Sequence, residues 1–511
     1  MPDIDVRRRA FLQTSAAGLG AAAIGLPTLG IQQVAAGAIS APARPPVLPA
    51  AAGPVRVYQT TGTQRHAARP ELVWRAASGS PTAADVVVTP NRRQEVLGFG
   101  AAFTDAACYT FNRLAAGARG ALFHELYHPS EMGLNVGRAC VGSSDYSTAA
   151  YSYDESATPD PQLTRFSIAH DRRWILPMLR EVRAVNPDLF LLASPWSPPA
   201  WMKDNDSLLG GTIRRRYLGP YADYLTKFVQ AYGAEGVPVH AVTTQNECDT
   251  DQDGAMPQCT WPQEAEVQFV GQHLGPAFAR AGLSTKIWLI DHNYNLWGRA
   301  MAEFEDDAVH RYADGVAWHG YVGNPAWMTR VHDAYPDKHG YWTEGGPDYT
   351  SPHYATDWAA WAAGFTDILR NWSRCIIAWN YALDEHGKPN IGPFSCGGLV
   401  TVDSRTQAIT RSGMLWAFAH FSRHVRRGAR VVETTGGTPP AGAAAPPPAT
   451  GGGARPTAAF GHVAFENPDG SGVLVLTNAG AAERATRVVA GDRAVEITLP
   501  ADSVTTLEWR D

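Results

Sequence analysis

The sequence predicts an α/β protein: a closed (β/α)8 TIM barrel with an accessory β-sandwich domain formed from both chain ends. Three observations carry this reading. Eight short apolar runs alternate with longer helical stretches between about residues 94 and 400, the repeat of a barrel rather than of an open sheet. Segments at both ends alternate apolar and polar residues around turns, as hairpins do. No G-x-G-x-x-G follows the first run, where a dinucleotide-binding sheet would carry one. With 511 residues, the chain exceeds one ordinary core and divides most naturally in two.

In chain order, residues 1–43 read as an export leader and linker. Arg8-Arg9 precede Ala10-Phe11-Leu12 and an Ala/Gly-rich run too weak and short to span a membrane, which resembles a twin-arginine signal cut between about Ala38 and Ala43. The sequence therefore predicts an exported protein with no integral membrane segment once mature. Residues 44–93 supply β segments, "VRVYQT" and "ADVVVTP". The barrel is expected over 94–410, with strands in "EVLGFGAAFTD" (95–105), "GLNVGRACVGS" (133–143), "LFLLASPW" (189–196) and "VHAVTTQNE" (239–247). The remaining four lie in "KIWLIDHN" (286–293), "GVAWHGY" (315–321), "GYWTEGG" (340–346) and "CIIAWNYALD" (375–384). Between strands, segments such as 221–236 repeat apolar residues at helical spacing, with Tyr221, Leu225, Phe228 and Val229 on one face. Residues 411–511 are assigned to the sandwich: a helix over 412–425, then hairpins at 461–478 and 484–510. The Pro/Gly/Ala tract 434–456 cannot pack a core and is read as a mobile loop.

A net charge of −6 and a pI near 6.2 give no footprint for nucleic acid or anionic lipid. Sixteen Trp and eighteen Tyr, several beside Gly, Pro and acidic residues, favour a carbohydrate-facing site. None of the six cysteines has metal-ligand spacing, although Cys248 and Cys259 are close enough in sequence to close a loop by a disulfide. One motif points elsewhere. His124-Glu125-Leu126-Tyr127-His128 matches the H-E-x-x-H of zinc peptidases. Pro129 ends that helix at once, however, and the segment runs into barrel strand two without a third ligand. Asp249, Asp251 and Asp253 resemble the start of a calcium loop, but position twelve is Thr260 rather than glutamate. No cofactor or metal is expected.

Barrel active sites form at the C-terminal ends of the strands. Those ends carry Asp105, Ser143 to Asp145, Trp196, Asn246-Glu247, Asp291-His292, His319, Tyr321, Glu344 and Trp379-Asn380. Glu247 and Glu344 each terminate an apolar run, the fourth and the seventh. Two opposed carboxyl groups on a barrel rim suit glycoside hydrolysis, where one protonates the departing oxygen and the other attacks the anomeric carbon. Serine hydrolysis is disfavoured because no G-x-S-x-G elbow is present. A non-catalytic carbohydrate-binding barrel predicts at least one missing glutamate, and both are present.

The runs "LGFGAAFTDAA", "NVGRACVGSSDYS", "LLASPWSPPAWMK", "AVTTQNE", "WHGY", "YWTEGG" and "AWNYALD", in this order, resemble glycoside hydrolase family 30, and within it the glucosylceramidase-like branch. The resemblance implies a retaining β-glycosidase, with Glu247 as acid/base and Glu344 as nucleophile. It further implies that Asn246 bonds the sugar 2-hydroxyl, that Asp105 grips distal hydroxyls, and that Trp196, His319, Tyr321 and Trp379 line the subsite. Arg138 would supply positive charge under the nucleophile. The acid/base carboxyl is expected to hold its proton near or above the working pH. The implied substrate is a carbohydrate or glycolipid with a terminal β-linked glucose. A β-1,6-glucan, a β-xyloside or a β-fucoside is the alternative. The loop 248–264, which starts at Cys248 where many relatives have proline, leaves the aglycone open.

Overall fold

The structure is a computed structural model that describes residues 53–438, 451–452 and 457–510. The leader with Arg8-Arg9 and most of the 434–456 tract lie outside these residues.

Eight parallel strands close into a barrel: Gly98–Phe103, Val136–Val141, Phe190–Pro195, Ala241–Thr243, Lys286–Asn293, Ala313–His319, His339–Glu344 and Ser373–Ala378. Each overlaps one of the eight apolar runs. Strand residues alternate between two cores, as a period of two requires. Cys375 and Ile377 point into the barrel with Val136, Leu192, Trp288 and Tyr341, and the last two stack with ring centroids 3.6 Å apart. Ile376 and Ala378 point outward into the helical layer. The helix Leu218–Ala234 buries Tyr221, Leu225, Phe228, Val229 and Tyr232 on its barrel face, the face its spacing predicts.

Both chain ends meet in one ten-strand sheet. Its Val55–Thr61 strand lies antiparallel between Gln64–Leu72 and the last strand, Ser503–Trp509. Val86–Glu95 pairs antiparallel with Arg430–Gly436 and parallel with Arg484–Ala490. The alternation of Phe460–Glu466 serves both layers: Phe460 and Ala464 enter the sheet's own core, while Val463 and Phe465 pack into the barrel core. The helix Gly413–Ser422, assigned above to the second domain, belongs with the barrel. Met414, Leu415, Phe418 and Phe421 are all buried in the barrel core, as expected of a helix apolar all round. The 434–456 tract also departs from a simple mobile loop. Residues 434–436 extend a sheet strand, and Gly451–Gly452 pairs antiparallel with Gly346–Pro347 at the barrel rim.

Where sheet and barrel meet, three histidines cluster. His420 Nδ1 is 2.9 Å from Thr506 Oγ1 and its Nε2 is 2.7 Å from Thr60 Oγ1. His66 Nε2 and His424 Nε2 are 2.9 Å apart, and Glu508 lies 3.0 Å from His424 Nδ1. Burial, with the charge of Arg423 and of neighbouring imidazolium forms, pushes all three proton affinities down, His66 to about 2 and His420 well below the usual range. All six cysteines are free thiols; Cys248 and Cys259 are both buried and unlinked.

Candidate active site

The site is assembled around one fully buried cation. Arg138, in the middle of barrel strand two, donates from Nη1 to Glu344 Oε2 (2.5 Å) and from Nη2 to both Asp291 Oδ2 (2.7 Å) and Asn246 Oδ1 (2.7 Å). Its Nε donates to Ser194 Oγ at 3.0 Å. The planar fork thus joins strands two, three, five and seven and the chain after strand four. Burial works against the guanidinium charge, but Asp291 and Glu344 outweigh it and raise its proton affinity. Burial would likewise raise Asp291; Arg138 and His319 hold it far below the usual carboxylate range. Glu344 is the last residue of strand seven, as expected, and its Oε1 accepts from the Tyr321 hydroxyl at 3.0 Å.

Glu247 does not terminate its strand directly. The ladder of strand four stops at Thr243, and the chain then wedges between strands three and five. There Asn246 N–H bonds the Pro195 carbonyl at 2.8 Å and Glu247 N–H bonds the Asp291 carbonyl at 3.0 Å. These bonds hold Glu247 in the left-handed region, φ 52°, a conformation that a residue with a side chain adopts only when its surroundings enforce it. Gln258 ties the following loop down by donating to the Asn246 and Glu247 carbonyls at 2.9 and 2.8 Å.

The two glutamates face each other across one imidazole. His319 Nδ1 stands 3.5 Å from Glu247 Oε1 and 3.8 Å from Glu344 Oε1. Those distances keep the two oxygens closer than the ~9 Å separations at the wide end of inverting sites. Glu247 Oε1 also lies 3.4 Å from His292 Nε2, and its Oε2 accepts from Gln252 Nε2 at 2.6 Å. Each histidine is held from behind by a carboxylate: His292 Nδ1 bonds Asp249, and His319 Nε2 is 3.0 Å from Asp291. Burial disfavours both imidazolium forms, yet the surrounding carboxylates prevail and raise both, His292 to about 10. The reverse holds at Glu247, where burial raises the carboxyl and the two imidazoles bring it below its ordinary range. This differs from the expectation of a carboxyl that holds its proton near or above the working pH, and the cause is the pair of imidazoles that face it.

A cavity of about 600 Å³ opens above these groups, lined by Asn246, Glu247, Glu344, Trp196, Trp379 and Tyr321, with Asp145 and His292 beside them. Trp196 and Trp379 stack at 5.1 Å with planes 23° apart, giving an apolar wall for a sugar ring. Arg138 satisfies the Asn246 carbonyl oxygen, which turns the amide donor toward the cavity.

Two expected substrate contacts fall elsewhere. Asp105 is not among the cavity-lining residues. Its Oδ2 accepts from the Thr148 backbone and hydroxyl, both 2.7 Å, and its Oδ1 faces His170 at 2.9 Å and Trp174 Nε1 at 2.5 Å. Both oxygens are occupied within the protein, so the expectation that Asp105 grips distal hydroxyls is corrected. Asp145 lines the cavity instead, and burial together with the negative charges of Glu344 and Glu247 raises its carboxyl well above the usual range. His319 is also corrected from a substrate contact to a fully buried group beneath the carboxylates. Asp145 and His292 stood in the strand-end set above. Asp249 was hidden in the calcium-like run, and the approach of Gly452 had no local signal. As for His124-Glu125-x-x-His128, Glu125 pairs with Arg411 at 2.6 and 2.5 Å, and the two imidazoles stack on each other at 4.4 Å.

Two carboxyl groups opposed across a tryptophan-walled cavity, at the C-terminal rim of a (β/α)8 barrel, define a glycoside hydrolase site. The TIM-barrel domain of glycosyl hydrolase family 30 matches residues 96–425 and that family's beta sandwich domain matches residues 428–507. The chain belongs to glycosyl hydrolase family 30. It is 34% identical over 365 residues to an endo-1,6-beta-D-glucanase of Neurospora crassa, covering 68% of this chain and 74% of that protein. It is 26% identical over 489 residues to the lysosomal acid glucosylceramidase of Mus musculus, covering 91% of each. Among solved structures, SrfJ of Salmonella typhimurium superposes with a TM-score of 0.82 at 27% identity, over 90% of this chain and 100% of that one. The endo-beta1,6-glucanase BT3312 superposes with 0.78 at 29% identity, over 90% and 99%. Among the described residues no helix is long and apolar enough to cross a membrane.

Proposed function

We propose that this glycoside hydrolase cleaves β-1,6-linked glucan with retention of configuration. The observation that carries the reading is the opposed Glu247–Glu344 pair on a barrel whose similar proteins include endo-1,6-β-glucanases by sequence and by structure. Glu344, held by Arg138 and Tyr321, attacks the anomeric carbon. Glu247 gives its proton to the departing oxygen and then takes one from water as the glycosyl-enzyme breaks down. That first proton rests on the flanking imidazoles in the empty site. A sugar filling the cavity expels water, penalises the separated charges and returns the proton to Glu247. Asp145, kept neutral by its surroundings, donates to a sugar hydroxyl, and Asn246 donates to the 2-hydroxyl. A carboxylate of Asp105 gripping distal hydroxyls would block an extended glycan, but both its oxygens are taken by Thr148, His170 and Trp174.

Linear β-1,6-glucan, glucosylceramide and aryl β-glucoside, xyloside and fucoside are to be compared side by side, with chromatography of the products. β-1,6-Linked oligosaccharides from the glucan are expected. Cleavage of glucosylceramide without cleavage of the glucan would replace this reading with the second one, a glucosylceramidase, which the similarity to the mouse enzyme over 91% of each chain favours. With an activated aryl glycoside, azide should rescue Glu247→Ala and give the β-glycosyl azide; an α product refutes retention. Export is part of the same proposal, and an Arg8→Lys, Arg9→Lys double variant that still leaves the producing cell would refute the twin-arginine route.

A further inference from the structure

We infer that Glu247, His292 and His319 form a binding site for a borderline divalent transition ion, zinc or cobalt, and that such an ion switches the enzyme off. One ligand atom from each residue comes together within 4.8 Å, and all three residues are buried. The edges that meet at Glu247 Oε1 are 3.4 Å to His292 Nε2 and 3.5 Å to His319 Nδ1. Tetrahedral coordination with bonds of about 2.0–2.1 Å sets ligand atoms ~3.3 Å apart. Two of the three edges are therefore close to that spacing before any ion arrives, and the two imidazole nitrogens, within 4.8 Å of each other, draw together on binding.

A second observation is independent of this clustering. His319 is fully buried, and its Nδ1 has no hydrogen-bond partner although it points at Glu247. A buried polar atom left in this state requires a reason, and a ligand between Nδ1 and Glu247 supplies one. The remote nitrogens complete the pattern. His292 Nδ1 is held by Asp249 and His319 Nε2 by Asp291, the arrangement that orients metal-binding imidazoles and strengthens them as ligands. Two imidazoles and one carboxylate select zinc, cobalt or copper over calcium and magnesium. Glu247 and His292 line the cavity, from which water would supply a fourth ligand. Binding displaces the Asn293 amide, now 2.9 Å from His292 Nε2. The spacing 247, 292, 319 matches no linear zinc motif, and the ligands come from the ends of strands four, five and six.

The binding claim stands on geometry alone; the inhibition rests on Glu247 being the acid/base. The experiment separates them by reading the ion directly. Full-length, chelator-treated enzyme is titrated with Co²⁺, following its visible absorption and calorimetric heat, beside hydrolysis of an aryl β-glycoside. One equivalent of ion with a tetrahedral absorption band is expected, together with loss of hydrolysis that EDTA reverses. Asp249→Asn should weaken binding by about 10–100-fold, and Glu247→Gln, which keeps the shape but removes the charge, should abolish the band. Thermal melting identifies a variant that has lost its fold, and His292→Gln replaces any that does. No stoichiometric binding, or binding unchanged in Glu247→Gln and His292→Gln, overturns the site. Binding without inhibition leaves the site and removes the acid/base role of Glu247.

Discussion

Two histidine clusters of the molecule shift their proton affinities in opposite directions. In the active site, His292 and His319 face Glu247, Glu344, Asp249 and Asp291, and their proton affinities rise, that of His292 to about 10. At the seam between sheet and barrel, His420 meets two threonine hydroxyls, His66 and His424 meet each other, and all three affinities fall. Burial is common to both and disfavours the charged ring. What differs is how many carboxylates face each ring and whether arginines stand beside them. The one carboxylate at the seam, Glu508, is shared with Arg56. A histidine in an apolar interior is thus a structural hydrogen-bonding group by default, and becomes a proton carrier where acids surround it.

Removing acids from the site tests the comparison most severely. Glu344→Gln deletes the proposed nucleophile and should lower hydrolysis by at least ~1,000-fold. The same change should bring His319 toward the behaviour of the seam histidines, followed by NMR titration of the ring. A His319 that keeps its affinity would mean that Asp291 and Glu247 set it. Next in size is Arg138→Met, which leaves Asp291 and Glu344 buried without their cation. Unfolding in denaturant should show a loss of about 3–5 kcal/mol, and an unchanged midpoint would show that the carboxylates neutralise themselves by taking up protons.

The seam predicts a pH-dependent effect. Its histidines have unfolded affinities near 6.5 and lower folded ones, so the unfolded chain binds more protons below that pH. Stability is fully present above about pH 6.5 and falls as the pH drops toward the folded values, by up to about 1.4 kcal/mol per pH unit for each histidine. Melting curves between pH 7 and 4 check this. Thr506→Asp places a carboxylate against His420 Nδ1 and should flatten the slope by one proton; an unchanged slope would assign the acid sensitivity to other groups.

The barrel was legible because a period of two in the strands and of 3.6 in the helices is written locally, as in Ile376 against Ile377 or Tyr221 against Leu225. The opposed glutamate pair was legible for a related reason, since strand ends in a barrel converge whatever their sequence separation. What could not be read is where a rim side chain turns. Asp105 and Asp145 both follow strands, yet Asp105 is captured by Thr148, His170 and Trp174, groups 43 to 69 residues further on. Asp249 sat in a run with the look of a calcium loop, and its partner, His292, comes from the next strand. The Glu247 backbone strain and the lowered affinity of its carboxyl likewise depend on neighbours brought in by the closed barrel.

The pairing of Gly451–Gly452 with Gly346–Pro347 has a consequence for how such enzymes can change over evolutionary time. A side chain at Gly452 would place its first carbon 2.3 Å from a Tyr321 ring atom, and one at Gly345 would meet the Gly452 carbonyl at 3.1 Å. The sheet's own tract thereby abuts the tyrosine that steadies Glu344 and the residue that follows Glu344. Barrel and sheet cannot be exchanged between relatives as separate cassettes: a transplanted sheet with any larger residue at this point would disturb chemistry in a barrel left otherwise intact, so the two halves must be inherited together.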